Sequence, residues 1–233
     1  MHHDITKHQK KQLDVIKKVE TQVQNKSIGF SMVSEVEDYK NDPRICLTSL
    51  HFPTPTLAEK LKKDIQDPLR TISPNHYYYP ESSLHTTIKN IRVINYSPHF
   101  NKDDVEKAKK VLAKVVPKHH RFKIYYYKLL MFPTSLSLMG TTDPEYDQLI
   151  VDLDKELRRV GVPDDKNYVN KKYFFSNITL ARLQLKPSEK FKQKVLEISE
   201  NLNLAPYTID SVSLIVGNAV LHNHRKIKTY KLK

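Results

Sequence analysis

Glycine, cysteine and long apolar runs are scarce in this chain of 233 residues. Its four glycines stand apart from one another, at Gly29, Gly140, Gly161 and Gly217. Loops that hold phosphate through backbone N–H groups need clustered glycines, so the sequence excludes nucleotide-fold and kinase phosphate loops. The single cysteine, Cys46, excludes an internal disulfide and a cysteine-rich zinc site.

No apolar run approaches the roughly 20 residues that a bilayer span requires, and the N-terminus lacks the apolar core of a signal peptide. We therefore predict a cytoplasmic protein with no membrane partner, in a reducing compartment that suits a free thiol. Positive charge, by contrast, is abundant: 39 lysines and arginines stand against 26 aspartates and glutamates, a formal net charge of +13. This excess makes polyanions the first partners to consider.

Two regions are predicted, a helical extension over residues 1–43 and one domain over residues 44–233. In the extension, Leu13, Ile16, Val19 and Val23 recur near helical spacing. This pattern predicts a helix that docks its apolar stripe on the body of the protein, and its lysines leave open the binding of an acidic partner.

Strand-like and helical patterns alternate from residue 44 onward. A capping box of Thr56 and Glu59 predicts the start of the domain's first helix, Gly140 predicts a turn, and Asp143 with Pro144 predicts the start of another helix. Further helices are predicted over residues 103–116 and 188–202, and strands over residues 45–52, 84–94, 122–131, 135–139, 173–183, 207–216 and 225–232.

The order helix, loop, strand, helix, strand occurs twice, at an offset of 92 residues. The two units cover roughly residues 44–132 and 133–233. Their strands lie outside short parallel crossover units and are joined partly by hairpins, which favours an α+β fold with antiparallel pairing.

Equivalent places in the two units carry similar polar pairs. The first unit has His85 and Thr87, and the second has Asn177 and Thr179. Because strand side chains alternate with a period of two, each pair lies on one face of its strand. If the units pack about a pseudo-twofold axis, the two pairs face each other across a groove.

The paired H-x-T pattern, one copy in each half of a basic chain, resembles the 2H phosphoesterase superfamily, which includes the 2′-5′ RNA ligase-like proteins and cyclic nucleotide phosphodiesterases. His85 and Thr87 match the family's first motif, whereas Asn177 replaces the histidine of the second. The resemblance implies a bilobal α+β fold, with two antiparallel sheets flanked by helices around a central cleft. It also implies hydrolysis of RNA or nucleotide phosphodiesters, without a metal or cofactor, by two proton-transferring histidines and two phosphate-holding threonines.

Asn177 makes the implied chemistry asymmetric, because a carboxamide does not exchange protons near pH 7. We expect His85 to transfer the proton, and Asn177, Thr87 and Thr179 to position the phosphate. Losing one proton carrier costs roughly 10² to 10⁴ in rate. The sequence leaves open a slow enzyme, a binding protein, compensation by His222 or His224, and an engineered change from histidine to asparagine.

Cations and aromatic residues near the two motifs are further candidates. Lys89 and Arg182 are expected to bind phosphate, and strand parity favours Lys89, because Arg182 reaches the same face only through a bulge or an edge position of its strand. Aromatic side chains next to a cleft stack nucleobases or belong to the core. The candidates for base stacking are Tyr78, Tyr79, Tyr173 and Phe175.

Three functions follow from these observations. The leading one is a metal-independent cyclic phosphodiesterase or 2′-5′ RNA ligase-like hydrolase, acting as a monomer on RNA ends or small cyclic nucleotides that carry a 2′,3′-cyclic phosphate or a 2′-5′ linkage. The second is a catalytically impaired protein that binds RNA or nucleotides. The third is a protein-interaction scaffold with a vestigial cleft, which uses the N-terminal helix.

Overall fold

The computed structural model describes residues 4–233, so the first three residues of the predicted extension lie outside the described part. The helices are α1 (Lys7–Gln24), α2 (Pro55–Leu61), α3 (Asp67–Ile72), α4 (Lys102–Val115), α5 (Pro144–Arg159) and α6 (Glu189–Glu200). The strands are β1 (Ile45–His51), β2 (Tyr77–Tyr78), β3 (Thr86–Asn95), β4 (Phe122–Phe132), β5 (Ser135–Thr142), β6 (Ser176–Arg182), β7 (Tyr207–Ile209), β8 (Ser211–Asn218) and β9 (His224–Lys231).

Local capping chemistry sets where the helices begin. α5 begins at Pro144 as predicted, and Gly161 follows its end with a φ of 78°. α2 differs from the prediction: its N-cap is Thr54, whose Oγ1 accepts a hydrogen bond from the Leu57 N–H, and Pro55 occupies the first turn. A proline has no N–H to leave unpaired there, so the helix starts before the predicted Thr56.

Gly140 lies inside β5 rather than in the predicted turn. A Cβ at this position would come within 2.8 Å of Ile124 Cγ2 on the neighbouring strand β4. The glycine therefore permits the close approach of two strands, and the turn that joins them lies earlier, between β4 and β5.

All strands join one curled antiparallel sheet in the order β7-β4-β5-β6-β3-β1-β8-β9, and β2 pairs with β6. The predicted α+β class with antiparallel pairing is confirmed. The two expected sheets are two halves of this one sheet, β7-β4-β5-β6 and β3-β1-β8-β9, and Thr86 of β3 and Ile178 of β6 form the pair that joins them.

Strand pairing in the two halves follows the same rule. β1 of the first predicted unit pairs with β3 of its own unit and with β8 of the second unit. β5 of the second unit pairs with β6 of its own unit and with β4 of the first. The first unit thus gives its last strand, β4, to the other half, and the second unit gives its last two strands, β8 and β9, an arrangement compatible with the predicted repeat.

Helices pack on the sheet, and helices and strands contribute to the core in similar measure. α5 packs against β3 and α4, while α6 packs against β4 and α3. Fully buried leucines from strands and helices form one continuous cluster, represented by Leu47, Leu61, Leu112, Leu153 and Leu214. Within residues 4–233, no helix combines the length and the apolar character that crossing a bilayer requires.

The N-terminal helix docks on the sheet through the predicted apolar stripe, with Ile16 and Val19 each 1% exposed. A buried polar contact fixes its position. The Gln12 carboxamide accepts a hydrogen bond from the Thr142 N–H at 2.8 Å and donates to Thr142 Oγ1 at 2.7 Å and to Asp147 Oδ1 at 3.4 Å. Gln12 thereby joins α1 to the end of β5 and to α5.

Replacing Gln12 with alanine should lower the free energy of unfolding by about 2 to 3 kcal/mol, because buried groups at Thr142 and Asp147 lose their partner. Denaturant unfolding monitored by circular dichroism measures this loss. Lys11→Ala, at an exposed position of the same helix, is the control and should change stability by less than about 0.5 kcal/mol. Equal stability of the two variants would show that Gln12 does not anchor the helix.

Candidate active site

The two halves of the sheet meet where both H-x-T-like motifs lie. Thr86 pairs with Ile178, and both side chains are buried. Extending this antiparallel register by one residue sets His85 opposite Thr179, and Thr87 opposite Asn177. Because directly opposed residues of antiparallel strands point to the same face, these four polar side chains share the face away from the core.

A cavity of about 470 Å³ opens on this face, a volume typical of small-molecule sites. His85, Thr87, Asn177 and Thr179 all line it. Among the described residues that form its wall, no aspartate or glutamate occurs, and His85 is the only histidine. This part of the wall therefore carries no negative charge.

Two β-bulges decide which residues beyond the threonines face the cavity. Between the pairs Leu50–Thr87 and Ser49–Lys89, β3 advances by two residues while β1 advances by one. Such an extra residue reverses the alternation of the strand. Asn90, instead of the predicted Lys89, consequently lines the cavity.

The second bulge lies at the equivalent place in β6. Between the pairs Leu136–Ala181 and Ser137–Thr179, β6 advances by two residues while β5 advances by one. This is the bulge that Arg182 requires, and Arg182 lines the cavity. Asn90 and Arg182 lie 92 residues apart, at equivalent positions of the predicted repeat.

Lys89 is 3% exposed and belongs to a buried ionic network. Its Nζ lies 2.9 Å from Asp154 Oδ1 and 2.6 Å from Asp164 Oδ2. Two carboxylates already compensate this ammonium, and it is not part of the cavity wall. The expectation from strict strand alternation, that Lys89 binds phosphate, is therefore corrected by the bulge in β3.

His85 is held in one orientation by a hydrogen bond of 2.8 Å between Nδ1 and the Ser83 carbonyl oxygen. A carbonyl only accepts, so Nδ1 carries the proton and Nε2 keeps its lone pair. Burial, together with the cationic Arg182, lowers the pKa of His85 to about 4. At neutral pH the imidazole is uncharged and able to accept a proton.

The remaining motif residues carry amide or hydroxyl groups. Asn177 is half-buried and offers both an N–H donor and a carbonyl acceptor to the cavity. Thr179 Oγ1 lies 3.4 Å from Ser137 Oγ, and the Thr87 carbonyl accepts a hydrogen bond from the Tyr146 hydroxyl at 3.1 Å. These groups can donate hydrogen bonds to phosphoryl oxygens, but they cannot serve as acids at neutral pH.

Arg182 is 7% exposed, and none of the described carboxylates forms an ion pair with it. Its Nε donates to the Tyr79 hydroxyl at 3.1 Å, and that hydroxyl donates to the Ala219 carbonyl at 3.3 Å. The guanidinium also lies over the rings of Tyr39 and Tyr79, 6.0 and 5.9 Å from their centroids. The aromatic pair holds the cation in place without neutralising it.

The structure separates the four candidates for base stacking. Tyr78 is buried outside the cavity, where its hydroxyl donates to the Ser73 carbonyl at 3.0 Å. Tyr79 lines the cavity but is 1% exposed and holds Arg182, so it has no free face for a base. Tyr173 and Phe175 are half-buried in the cavity wall and are the two that the geometry leaves available.

One wall of the cavity comes from the N-terminal segment, which sequence reasoning did not place there. Residues 30–34 line the cavity. The Ser31 N–H donates to the Asn167 carbonyl at 3.1 Å, the Asn167 N–H donates to Ser31 Oγ at 2.9 Å, and Thr134 Oγ1 donates to the Val33 carbonyl at 3.1 Å. No pattern in the sequence signals these tertiary contacts.

Lys166, Tyr168 and Asn90 also line the cavity and were not predicted. Of these three residues, only Asn90 could have been predicted from the sequence, because it lies 92 residues before Arg182, at the equivalent position of the repeat. His222 and His224 are exposed and are not part of the cavity wall, although the charge of His224 contributes to lowering the pKa of His85.

No protein-family model matches the sequence, and no curated protein matches it. The structure, however, is similar to solved structures. A conserved protein of unknown function from Agrobacterium tumefaciens has a TM-score of 0.59 at 12% identity, covering 90% of this chain and 97% of that chain. A phosphoesterase has a TM-score of 0.53 at 15% identity, covering 82% and 99%.

LigT of E. coli, solved alone and with 3′-AMP, has a TM-score of 0.53 at 13% identity, covering 82% of this chain and 98% of LigT. At these identities the similarity shows the fold. The curled antiparallel sheet of this chain and the helices around it have the LigT-like arrangement.

Replacing Arg182 with glutamine should raise the pKa of His85 above about 4, because a positive neighbour disfavours the imidazolium, while burial, the larger cause, still holds it below its ordinary value. An NMR titration of the imidazole Cε1–H resonances measures this shift. Arg70→Gln is the control, since Arg70 is an exposed arginine that also lies over a tyrosine ring. An unchanged pKa in the Arg182 variant would contradict the placement of its charge beside His85.

Proposed function

We propose that this protein is a phosphodiesterase-like enzyme of the 2H phosphoesterase type. Its substrates are RNA ends or small cyclic nucleotides, with a 2′,3′-cyclic phosphate or a 2′-5′ linkage at the reacting phosphorus. One observation carries this proposal. Where the two sheet halves meet, four polar side chains line one cavity whose described wall contains no aspartate or glutamate: His85, Thr87, Asn177 and Thr179.

His85 acts as the general base. In the hydrolysis of a 2′,3′-cyclic phosphate, the oxygen of a water molecule forms a bond to phosphorus, and the bond between phosphorus and one ribose oxygen breaks. His85 Nε2 accepts the proton of the attacking water, because Nδ1 is already protonated and bound to the Ser83 carbonyl. The leaving ribose oxygen takes its proton from solvent.

Thr87, Thr179, Asn177 and Arg182 hold the phosphate. The two hydroxyls and the carboxamide N–H donate to its non-bridging oxygens, and the Arg182 guanidinium offsets its negative charge. This electrostatic stabilisation and the general base use side chains of the chain alone, so the proposed reaction is independent of a metal ion.

The base and sugar of the ligand lie beside the phosphate. Tyr173 and Phe175 offer aromatic surface for stacking, worth about 1 to 3 kcal/mol for each stacked base. The solved complex of E. coli LigT with 3′-AMP supports a nucleotide as the ligand class, since this chain has the same fold.

A second function, binding without efficient turnover, is favoured by Asn177. Since no second histidine lines the described cavity, the leaving oxygen has no imidazolium beside it. The scaffold function receives no such support, because the apolar stripe of α1 is buried against the chain's own sheet.

We also propose a monomer in the cytoplasm. Cys46 is a free, buried thiol, and burial raises its pKa to about 12. Such a thiol is inert at neutral pH, so it supplies no nucleophile and fits a reducing compartment.

Turnover of adenosine 2′,3′-cyclic phosphate and of a 2′-5′-linked adenylate dinucleotide tests the proposal. His85→Ala should lower kcat by about 10² to 10⁴, and Asn177→His should raise it by a factor in the same range, because one variant removes a proton carrier and the other adds one. Product formation is measured by chromatography. His120→Ala, at an exposed position outside the cavity, should leave kcat unchanged.

The outcomes separate enzyme from binding protein. If these ligands bind without turnover, and Asn177→His gains no activity, the protein is a binding protein and not an enzyme. Absence of both binding and turnover would reject the proposed function altogether.

A further inference from the structure

Two cationic side chains of the cavity wall form no ion pair with any carboxylate of residues 4–233. Arg44, Lys166 and Arg182 are the cationic residues of the wall. Arg44 is neutralised by Asp42, whose Oδ2 lies 2.8 Å from the Arg44 guanidinium. Within the described residues, no carboxylate oxygen lies in ion-pair distance of Lys166 or Arg182, and no acidic residue lines the cavity.

Lys166 is placed in the cavity wall by the buried network around Lys89. Asp164 Oδ2 binds Lys89 Nζ at 2.6 Å, while Asp164 Oδ1 accepts the Lys166 backbone N–H at 2.7 Å. The Tyr168 hydroxyl donates to the same carboxylate, and its ring lies 5.4 Å from Lys166 Nζ. The side chain of Asp164 is 2% exposed and that of Lys89 is 4% exposed, so the loop that presents Lys166 is anchored in the interior.

Lys166 and Arg182 both line the cavity, so their positive charges act on each other. Burial lowers the pKa of Lys166, and the charges of Lys89 and Arg182 lower it further, whereas Asp164 opposes the shift. Arg182 also acts on His85. The positive region thus extends from the reacting histidine past Arg182 to Lys166, and a bound anion would relieve the repulsion between the two cations.

A phosphodiester carries one negative charge, which Arg182 is sufficient to offset. A second cation, separately anchored and with no carboxylate in ion-pair contact, matches a second anionic group. We propose that Lys166 binds a further phosphate group of the ligand, so that the preferred ligands are nucleotides carrying a terminal phosphate in addition to the reacting one. This inference rests on the proposed function and names the ligand class of the same cavity.

Binding of two adenine nucleotides that contain no phosphodiester tests the inference. Adenosine 3′-phosphate and adenosine 3′,5′-bisphosphate differ by one phosphate group, and neither can be turned over as a phosphodiester. Titration calorimetry at constant ionic strength should show the bisphosphate bound about tenfold more tightly or better by the unmodified protein, as a charge-assisted contact predicts.

Lys166→Met should abolish this preference and leave the affinity for the monophosphate within about twofold. Lys166→Arg should retain the preference, because the charge is kept. Lys171→Met, which removes an exposed lysine on the same loop, is the matched control and should behave as the unmodified protein. Circular dichroism and thermal melting confirm that each variant is folded.

The outcomes distinguish failure of this inference from failure of the proposed function. Equal affinity for the two nucleotides, or an equal loss of both in Lys166→Met, would overturn the role of Lys166 while nucleotide binding stands. If neither nucleotide binds, or if Arg182→Gln leaves binding of both unchanged, the cavity is not a nucleotide site and both proposals fall.

Discussion

The site depends on the antiparallel pairing of Thr86 with Ile178, the contact that joins the two halves of the sheet. Opposed residues in antiparallel strands share a face, so this register sends both motifs toward the same cavity. A slip by one residue would turn every side chain of a motif to the other face. The buried side chains of Thr86 and Ile178, together with the hydrogen bond between Thr86 Oγ1 and the Tyr126 hydroxyl at 3.0 Å, oppose such a slip.

Electrostatics divides the cationic residues of this region into two groups. Lys89 and Arg44 are compensated by aspartates and stabilise the architecture. Arg182 is held by tyrosines, which position its charge without cancelling it. Burial is the main cause of the lowered pKa of His85, and the same Arg182 charge adds to it, so one cation contributes to both the anion affinity of the cavity and the protonation state of its histidine.

Sequence patterns predicted the order of elements because capping residues and apolar periodicity are local properties. Pro144 and Gly161 marked the ends of α5, and the spacing between His85 and Asn177 located the place where the halves meet. The assumption of strict alternation failed at Lys89, since a bulge is set by the pairing of two distant strands.

Contacts between distant segments could not be predicted from sequence patterns for a related reason. The role of residues 30–34 depends on hydrogen bonds to Asn167 and Thr134, more than one hundred positions away in the chain. Lys166 likewise takes its place through Asp164, whose partner Lys89 lies 75 positions earlier. Local periodicity carries no information about such partners.

The N-terminal wall also bears on how a ligand reaches the cavity. Residues 30–34 form no helix or strand and are held by hydrogen bonds to Asn167, Thr134 and Arg44, by the edge-on contact of Phe30 with Phe132 and by the packing of Val33 on the core. Segments of this kind open locally at a fraction of the free energy that unfolding of the whole domain requires. Local opening of this wall would widen access to the cavity while the sheet that carries the motif residues stays folded.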